Sequence, residues 1–337
     1  MPEKTHPESR ANRPKGITSL LGILMFSLNV HAEPETTLKI GSLALGTLNW
    51  ELAIMRSRGL DKAHQLNLET RTLASPDAGR IALQGNSVDI IVGDWIWVAR
   101  QRLQGQDFTF SPFSSSHGAL MVPAESPIHG IADLEGKRLG VAGGGLDKNW
   151  LLLKAAAQKI YQIDLEKKAT ITFGAPPLLN QELQHGKLDA VFNYWNHAAK
   201  LEALGYRQVL DGDQIQQSLG IKTDVPALGY VFRESWAKQH LIGLEKFLQA
   251  TTEARRMICE SESAWEEVAP LTQETNPAIL SSLRQHYCSG RVVTVAEGMQ
   301  DAARQIFNQV ENAKDATRKP ASEITLPAGI FWTRPRH

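Results

Sequence analysis

From residue 38 onward, short apolar runs alternate with stretches whose apolar positions recur every three or four residues, the mark of strands alternating with amphipathic helices. Strands are expected at 38–41, 66–73, 88–93 and 108–113, with helices at about 50–58, 78–84 and 95–103. A second set follows the turn at 123–127, with strands at 138–142, 170–173, 189–194 and 208–210 and helices at about 148–160, 178–185 and 197–204. This alternation predicts an α/β fold of two units, each a mostly parallel sheet flanked by helices. After Trp236 the chain reads as almost wholly helical to about Asn312, and the tail carries an apolar Ile330-Phe331-Trp332. The short apolar segments 118–122 and 227–232 stand at the junctions of the second set and read as paired crossover strands. Residues 33–117 and 234–337 then make one discontinuous lobe, and 118–233 an inserted second lobe. Two lobes joined by two strands form a hinge able to close on a small molecule. No internal sequence repeat or low-complexity run interrupts the pattern.

Ahead of the first strand, residues 1–16 carry Lys4, Arg10, Arg13 and Lys15 and little that is apolar, whereas 17–30 is an apolar run ending in Val30-His31-Ala32. That arrangement reads as a secretory signal peptide over residues 1–32, cut after Ala32 and delivering the product to the periplasm. The run is shorter than the roughly 20 residues of a membrane span, an uncleaved anchor being the alternative. No Cys follows the cut to carry a lipid, and the leader has no Arg-Arg pair. In an oxidising compartment Cys259 and Cys288 are expected to form a disulfide, which would stabilise the fold by about 3–4 kcal/mol; two separate buried thiols are the alternative.

Composition narrows the function classes. The 337 residues are 42% hydrophobic and 21% charged, with 36 Lys+Arg against 36 Asp+Glu, an ordinary globular balance that excludes disorder. Zero net charge also lacks the basic surplus that phosphate neutralisation needs, so no nucleic-acid partner is expected. Eight Trp beside five Tyr and ten Phe is unusual, because an indole serves equally as core, interface or flat wall of a ligand site.

Three segments carry a resemblance. Lys39-Ile40-Gly41 precedes Gly85-Asn86-Ser87-Val88-Asp89-Ile90-Ile91-Val92-Gly93, and Ile131-Ala132-Asp133-Leu134-Glu135-Gly136-Lys137-Arg138-Leu139-Gly140-Val141-Ala142 comes next. With the later Gly186-Lys187-Leu188-Asp189-Ala190-Val191, they resemble the type II solute-binding proteins of ABC importers, in the nitrate, sulfonate, taurine and thiamine-precursor branch. The match spans roughly residues 38 to 260 in order and spacing. Each piece alone is a common α/β turn into a buried strand. The resemblance implies a two-lobed periplasmic binding protein type II fold, a small-molecule solute, an ABC permease of the inner membrane as partner, a monomer, and no cofactor or metal.

It also implies a ligand between the lobes, touched by loops after the strands. In the first such loop Thr47 and Asn49 are helix caps or ligand donors, beside Trp50. Ser75 and Asp77 precede the next helix, where capping is the plainer role. Then come Asp94, Trp95 and Trp97; two Trp two positions apart on a helix cannot both face one core, which turns one toward the cleft. In the second lobe Gly143, Gly144 and Gly145 expose backbone N–H groups that could meet an anion, and Trp150 is core or lid. Asn193 and Trp195 end the last strand, Trp195 having a core role as its alternative. Trp236, Trp265 and Trp332 are expected to be packing.

Motifs for chemistry are absent: no G-x-S-x-G elbow, no H-E-x-x-H, and histidines too scattered to suggest a metal. Asp94, Asp147 and Glu51 are acids that could meet across a cleft. The expected role is binding, not catalysis, with an enzyme of thiamine-precursor-synthase type or a periplasmic sensor as alternatives on one fold. The branch suggests an anionic solute, whereas Asp94 among indoles suits a cation or N–H-bearing ring better.

Overall fold

The computed structural model describes residues 35–292, 297–313 and 324–334, and the signal peptide expected over 1–32 lies outside them. The strands in chain order are β1 (Thr36–Leu43), β2 (Leu66–Leu73), β3 (Ile90–Gly93), β4 (Phe108–Ser114), β5 (Ala119–Val122), β6 (Arg138–Ala142), β7 (Thr170–Gly174), β8 (Ala190–Asn193), β9 (Arg207–Asp211) and β10 (Leu228–Arg233). They form two five-stranded sheets, ordered β2-β1-β3-β10-β4 and β7-β6-β8-β5-β9. In each, three strands run parallel and a fourth joins them antiparallel. The two-lobed α/β architecture expected from the alternation is present.

The sheets share a device that the two halves of the sequence only faintly repeat. Asp89, in the turn before β3, accepts a hydrogen bond from the Lys39 amide at 2.8 Å; Asp189, before β8, accepts one from the Arg138 amide at the same distance. Each carboxylate thereby ties the start of one parallel strand to its neighbour. Gly41 and Gly140 sit at matching places in β1 and β6. A Cβ on Gly41 would stand 2.7 Å from a Leu73 methyl and one on Gly140 2.6 Å from a Leu188 methyl, so a side chain at either would push apart the leucines packed over the sheet.

The crossover strands differ from expectation. β5 lies in the second sheet between β8 and β9, and β10 lies in the first between β3 and β4, so the two are not paired with each other. The chain leaves the first sheet at Ser114 and the second at Asp211, and residues 228–233 belong with the first lobe instead of the second. Packing enforces this: a Cβ at Gly229 would lie 2.4 Å from the Phe110 ring, and Tyr230, Val231 and Phe232 are all buried.

Helices begin where caps and prolines put them. Those at Pro76–Gln84 and Pro176–Gln184 start two residues earlier than the periodicity suggests, because proline suits the first helical position, where no amide partner is needed. The C-terminal helices brace both lobes. Leu241–Glu260 packs on Leu48–Ser57, Pro277–Ser289 on Trp195–Ala203, and Met299–Asn312 on Lys148–Tyr161. Cys259 and Cys288 form the expected disulfide, joining the first two of these three braces. No helix among the described residues is long and apolar enough to cross a membrane.

Candidate ligand site between the sheets

The loops after β1, β3, β6 and β8 gather into two patches of different character. In the charged patch, Asp94 ends β3 and caps the helix Trp95–Leu103, accepting the Trp97 amide at 2.8 Å. Its other oxygen takes Arg80 Nη2 at 3.0 Å, and Arg80 also reaches Asp77 at 3.0 Å. The Arg80 guanidinium lies 5.7 Å from the centre of the Trp97 ring. From the second sheet, Asp147 caps the helix Lys148–Tyr161 through the Asn149 amide at 2.9 Å and accepts the Tyr194 hydroxyl at 3.1 Å.

These groups act on one another across the lobes. Burial would lower the Arg80 pKa, but the fields of Asp94, Asp77 and Asp147 outweigh it and raise it. Burial pushes the Asp147 carboxyl up, against the pull of Lys148 and the Asn149 amide, and Asp94 adds to the push. Burial, then Asp147, raise the Tyr194 hydroxyl. Gly143 makes the arrangement possible: its φ is +83°, and a Cβ there would stand 2.7 Å from the Tyr194 oxygen. Thus both helix N-termini that point here are already filled by a carboxylate of the chain itself.

The aromatic patch joins Trp50 of the first lobe to Trp195 of the second, ring centres 6.3 Å apart and edge to face. Trp265 and Tyr287 close the knot at 5.8 and 5.2 Å from Trp50. Beneath it Glu51 is fully buried, bonded by the hydroxyls of Tyr230 and Tyr287 and by Arg255. Burial raises the Glu51 carboxyl against the opposing charge of Arg255, and burial lifts Tyr287 well above its ordinary value. At the rim, Lys200 pairs with Glu274 at 2.8 Å and His286 with Glu202 at 2.7 Å, across the lobes. The cavity walled by Thr47, Phe113, Ser114, Trp195, Arg255 and Tyr287 holds about 10 Å³, room for one water at most. The lobes are closed here.

The other residues singled out from sequence are placed as follows. Asn49 accepts from the Ser42 hydroxyl and donates to the Leu43 and Ala44 carbonyls, so its polar atoms tie the loop together and do not point outward. Ser75 caps its helix through the Ala78 amide, and Asp77 is exposed. Trp95 is core, against Phe331; Trp97 is half-buried beside Phe108. Trp150 is fully buried against Phe173, since its position on the first turn faces inward over β6 and β7. Gly144 stands in open space and Gly145 faces the Phe173 ring, but the nearby helix end is capped by Asp147. Asn193 is fully buried and spends its amide on Pro176 and Asn180. Glu51 does not meet Asp94 and Asp147; it belongs to the Tyr230, Tyr287 and Arg255 cluster of the first lobe. Sequence reading did not single out Arg80 or Tyr194. Arg80 stands in the second turn of its helix, beyond the reach of the dipole, and left no local signal.

Residues 108–262 match the family model described as NMT1/THI5 like. The fold is that of two-lobed periplasmic binding proteins. The aliphatic sulphonate binding protein SsuA of Escherichia coli superposes with a TM-score of 0.66 at 17% identity, covering 88% of this chain and 97% of its own. The alkanesulfonate-binding SsuA of Xanthomonas axonopodis, bound to MOPS, gives 0.63 at 16%, covering 89% and 99%. The nitrate-binding protein NrtA of Synechocystis gives 0.55 at 13%, covering 76% and 70%. No curated protein matches the sequence. The NMT1/THI5-like segment begins at β4 and ends just past Cys259, so it contains Asp147, Tyr194, Trp195 and Arg255 but not Arg80 or Asp94.

Proposed function

We propose that the chain is the periplasmic solute-binding component of an ABC importer, holding a small organic molecule between its lobes and presenting it to an inner-membrane permease. The NMT1/THI5-like segment and the likeness to sulfonate- and nitrate-binding proteins support the class. The observation that carries the ligand chemistry is that Asp94 and Asp147 occupy the two helix N-termini facing the charged patch. An anion bound there would displace or face a carboxylate. Arg80 is already neutralised by Asp94 and Asp77, while buried Asp147 has no ion pair to a described Lys or Arg. The unmet need is a positive or N–H-bearing group, so the solute is amine-bearing or a planar N–H heterocycle, set against Trp97 and Tyr194. Because the closed cavity under Trp195 has no room for it, entry requires the lobes to part, and closure is stabilised by contacts to both at once.

Calorimetric titration of the protein with taurine, nitrate, aminopyrimidines and quaternary amines tests this. An aminopyrimidine or a quaternary amine should bind, and Asp147→Asn should weaken it at least tenfold. Tight nitrate or taurine binding that survives Asp147→Asn would overturn the ligand class and leave the receptor role standing; an enzyme would instead convert its ligand.

A further inference from the structure

Two segments join the sheets, 115–118 between β4 and β5 and 212–227 between β9 and β10, and they are in contact: the Gly212 amide donates to the Gly118 carbonyl at 3.1 Å. On this junction His117, from the first segment, meets Asp213 and Asp224 from the second. One imidazole nitrogen and one oxygen of each carboxylate lie within 4.8 Å of one another. His117 Nε2 is 3.3 Å from Asp213 Oδ1, with the Gln216 amide nitrogen 3.0 Å away. The ring is 4% exposed, and its Nδ1 is buried without a hydrogen-bond partner. Gly212 shapes the seat, since a Cβ there would stand 2.5 Å from that Nδ1.

The charges around this cluster are unbalanced. The neutral imidazole offers a ring-nitrogen lone pair from a buried position beside the two acids. No described Lys or Arg pairs with Asp213 or Asp224, and the acids nearest Asp213 are Asp224 and Asp211. A buried imidazole whose Nε2 faces one carboxylate, with a second close by and no described Lys or Arg paired to either, is the donor set of a three-ligand metal site with a position left open. Asp224 is exposed and Asp213 half so, which gives an ion its path in and leaves both carboxylates free to draw in from 4.8 Å to the roughly 3.5 Å between ligands of a tetrahedral ion.

We propose that His117, Asp213 and Asp224 bind a divalent ion of the zinc class and clasp the two segments joining the lobes. The imidazole selects such borderline ions over calcium and magnesium, which take oxygen ligands. The site is separate from the solute patches and independent of what the protein carries. Its ligands lie about a hundred residues apart in sequence, which is why no motif announces it.

The test is calorimetric titration of Zn²⁺ into the protein purified without a polyhistidine tag, beside Asp213→Asn, Asp224→Asn and their double variant. Asp224 is exposed and Asp213 half-exposed, and circular dichroism checks that the variants keep the fold. One Zn²⁺ per chain is expected, weakened at least tenfold in each single variant and lost in the double, with no heat from Mg²⁺ or Ca²⁺. Failure of the native protein to bind Zn²⁺, or equal binding by the double variant, overturns the proposal.

Discussion

The two patches between the lobes contrast in what they contribute. The aromatic knot of Trp50, Trp195, Trp265 and Tyr287 is apolar, dry and non-directional; each indole buries a large area and gains further from edge-to-face packing. The charged patch of Arg80, Asp94, Asp147 and Tyr194 sets its hydrogen bonds against the desolvation of buried charge, and such groups contribute more to specificity than to stability. One patch packs the lobes together, and the other is the one we propose discriminates among solutes. Indoles that looked like ligand walls in the sequence are mostly packed against one another or in the core, and the proposed recognition surface is built from two ends of helices.

The largest expected effect breaks the aromatic knot. Trp50→Ala removes an indole that is 3% exposed and touches three other rings, and it should lower unfolding free energy by about 3–5 kcal/mol in urea titration. Trp195→Ala, 8% exposed, should lose somewhat less, and should also expand the molecule in small-angle scattering because it severs the ring contacts of the second lobe to Trp50 and Tyr287. A loss below about 1 kcal/mol for Trp50→Ala would show that the rim ion pairs, not the rings, hold the lobes.

Acid should separate the patches next. On the aromatic side, burial and then Lys200 lower the His197 pKa to about 3. Between pH 6.5 and 3 the unfolded chain therefore binds a proton that the folded chain refuses, so stability is full above pH 6.5 and falls as pH drops. By pH 5 the loss reaches roughly 2 kcal/mol, and buried His117, also lowered to about 3, acts in the same sense. Asp147 acts oppositely. Its carboxyl is raised, so the folded state takes up a proton first and gains relative stability as pH falls through that raised value. Unfolding free energy measured from pH 8 down to the ordinary carboxylate range near pH 4 should decline less in His197→Gln than in the native protein, and more steeply in Asp147→Asn. Identical slopes in all three would break the comparison.

The repeated strand and helix spacing was legible because it depends on neighbours a few residues apart. The alternation, the turns at Asp89 and Asp189, and the caps at Ser75 and Asp94 are all of this kind. What was illegible depends on distant partners. The four-residue apolar run of β5 and the run of β10 look alike in sequence, and only pairing to β8 and β9, or to β3 and β4, separates them. Trp95 and Trp150 occupy first-turn positions that suit a cleft as well as a core, and Phe331 and Phe173 decide the matter from far along the chain. The junction of Arg80 with Asp94 and Asp147 joins one helix to the capped ends of two others, one from each lobe, a fact no local window contains.

The smallest expected effect sharpens the charged patch to a single atom. Gly143 and Gly144 are adjacent and equally plain in sequence, yet their surroundings differ. At Gly143 a methyl would have to sit in left-handed backbone and 2.7 Å from the Tyr194 hydroxyl. Backbone strain of about 1 kcal/mol is then joined by loss of the Tyr194 to Asp147 hydrogen bond, about another 1 kcal/mol. At Gly144 the same methyl meets nothing within 4 Å and the backbone is ordinary, so the change should be neutral within about 0.5 kcal/mol or slightly stabilising. Gly143→Ala should therefore melt earlier and also weaken the amine-bearing solute several-fold, because a displaced Tyr194 no longer orients Asp147. If Gly143→Ala lowers melting but leaves solute affinity untouched, Tyr194 supports the loop alone, and recognition rests on the Arg80 side of the patch.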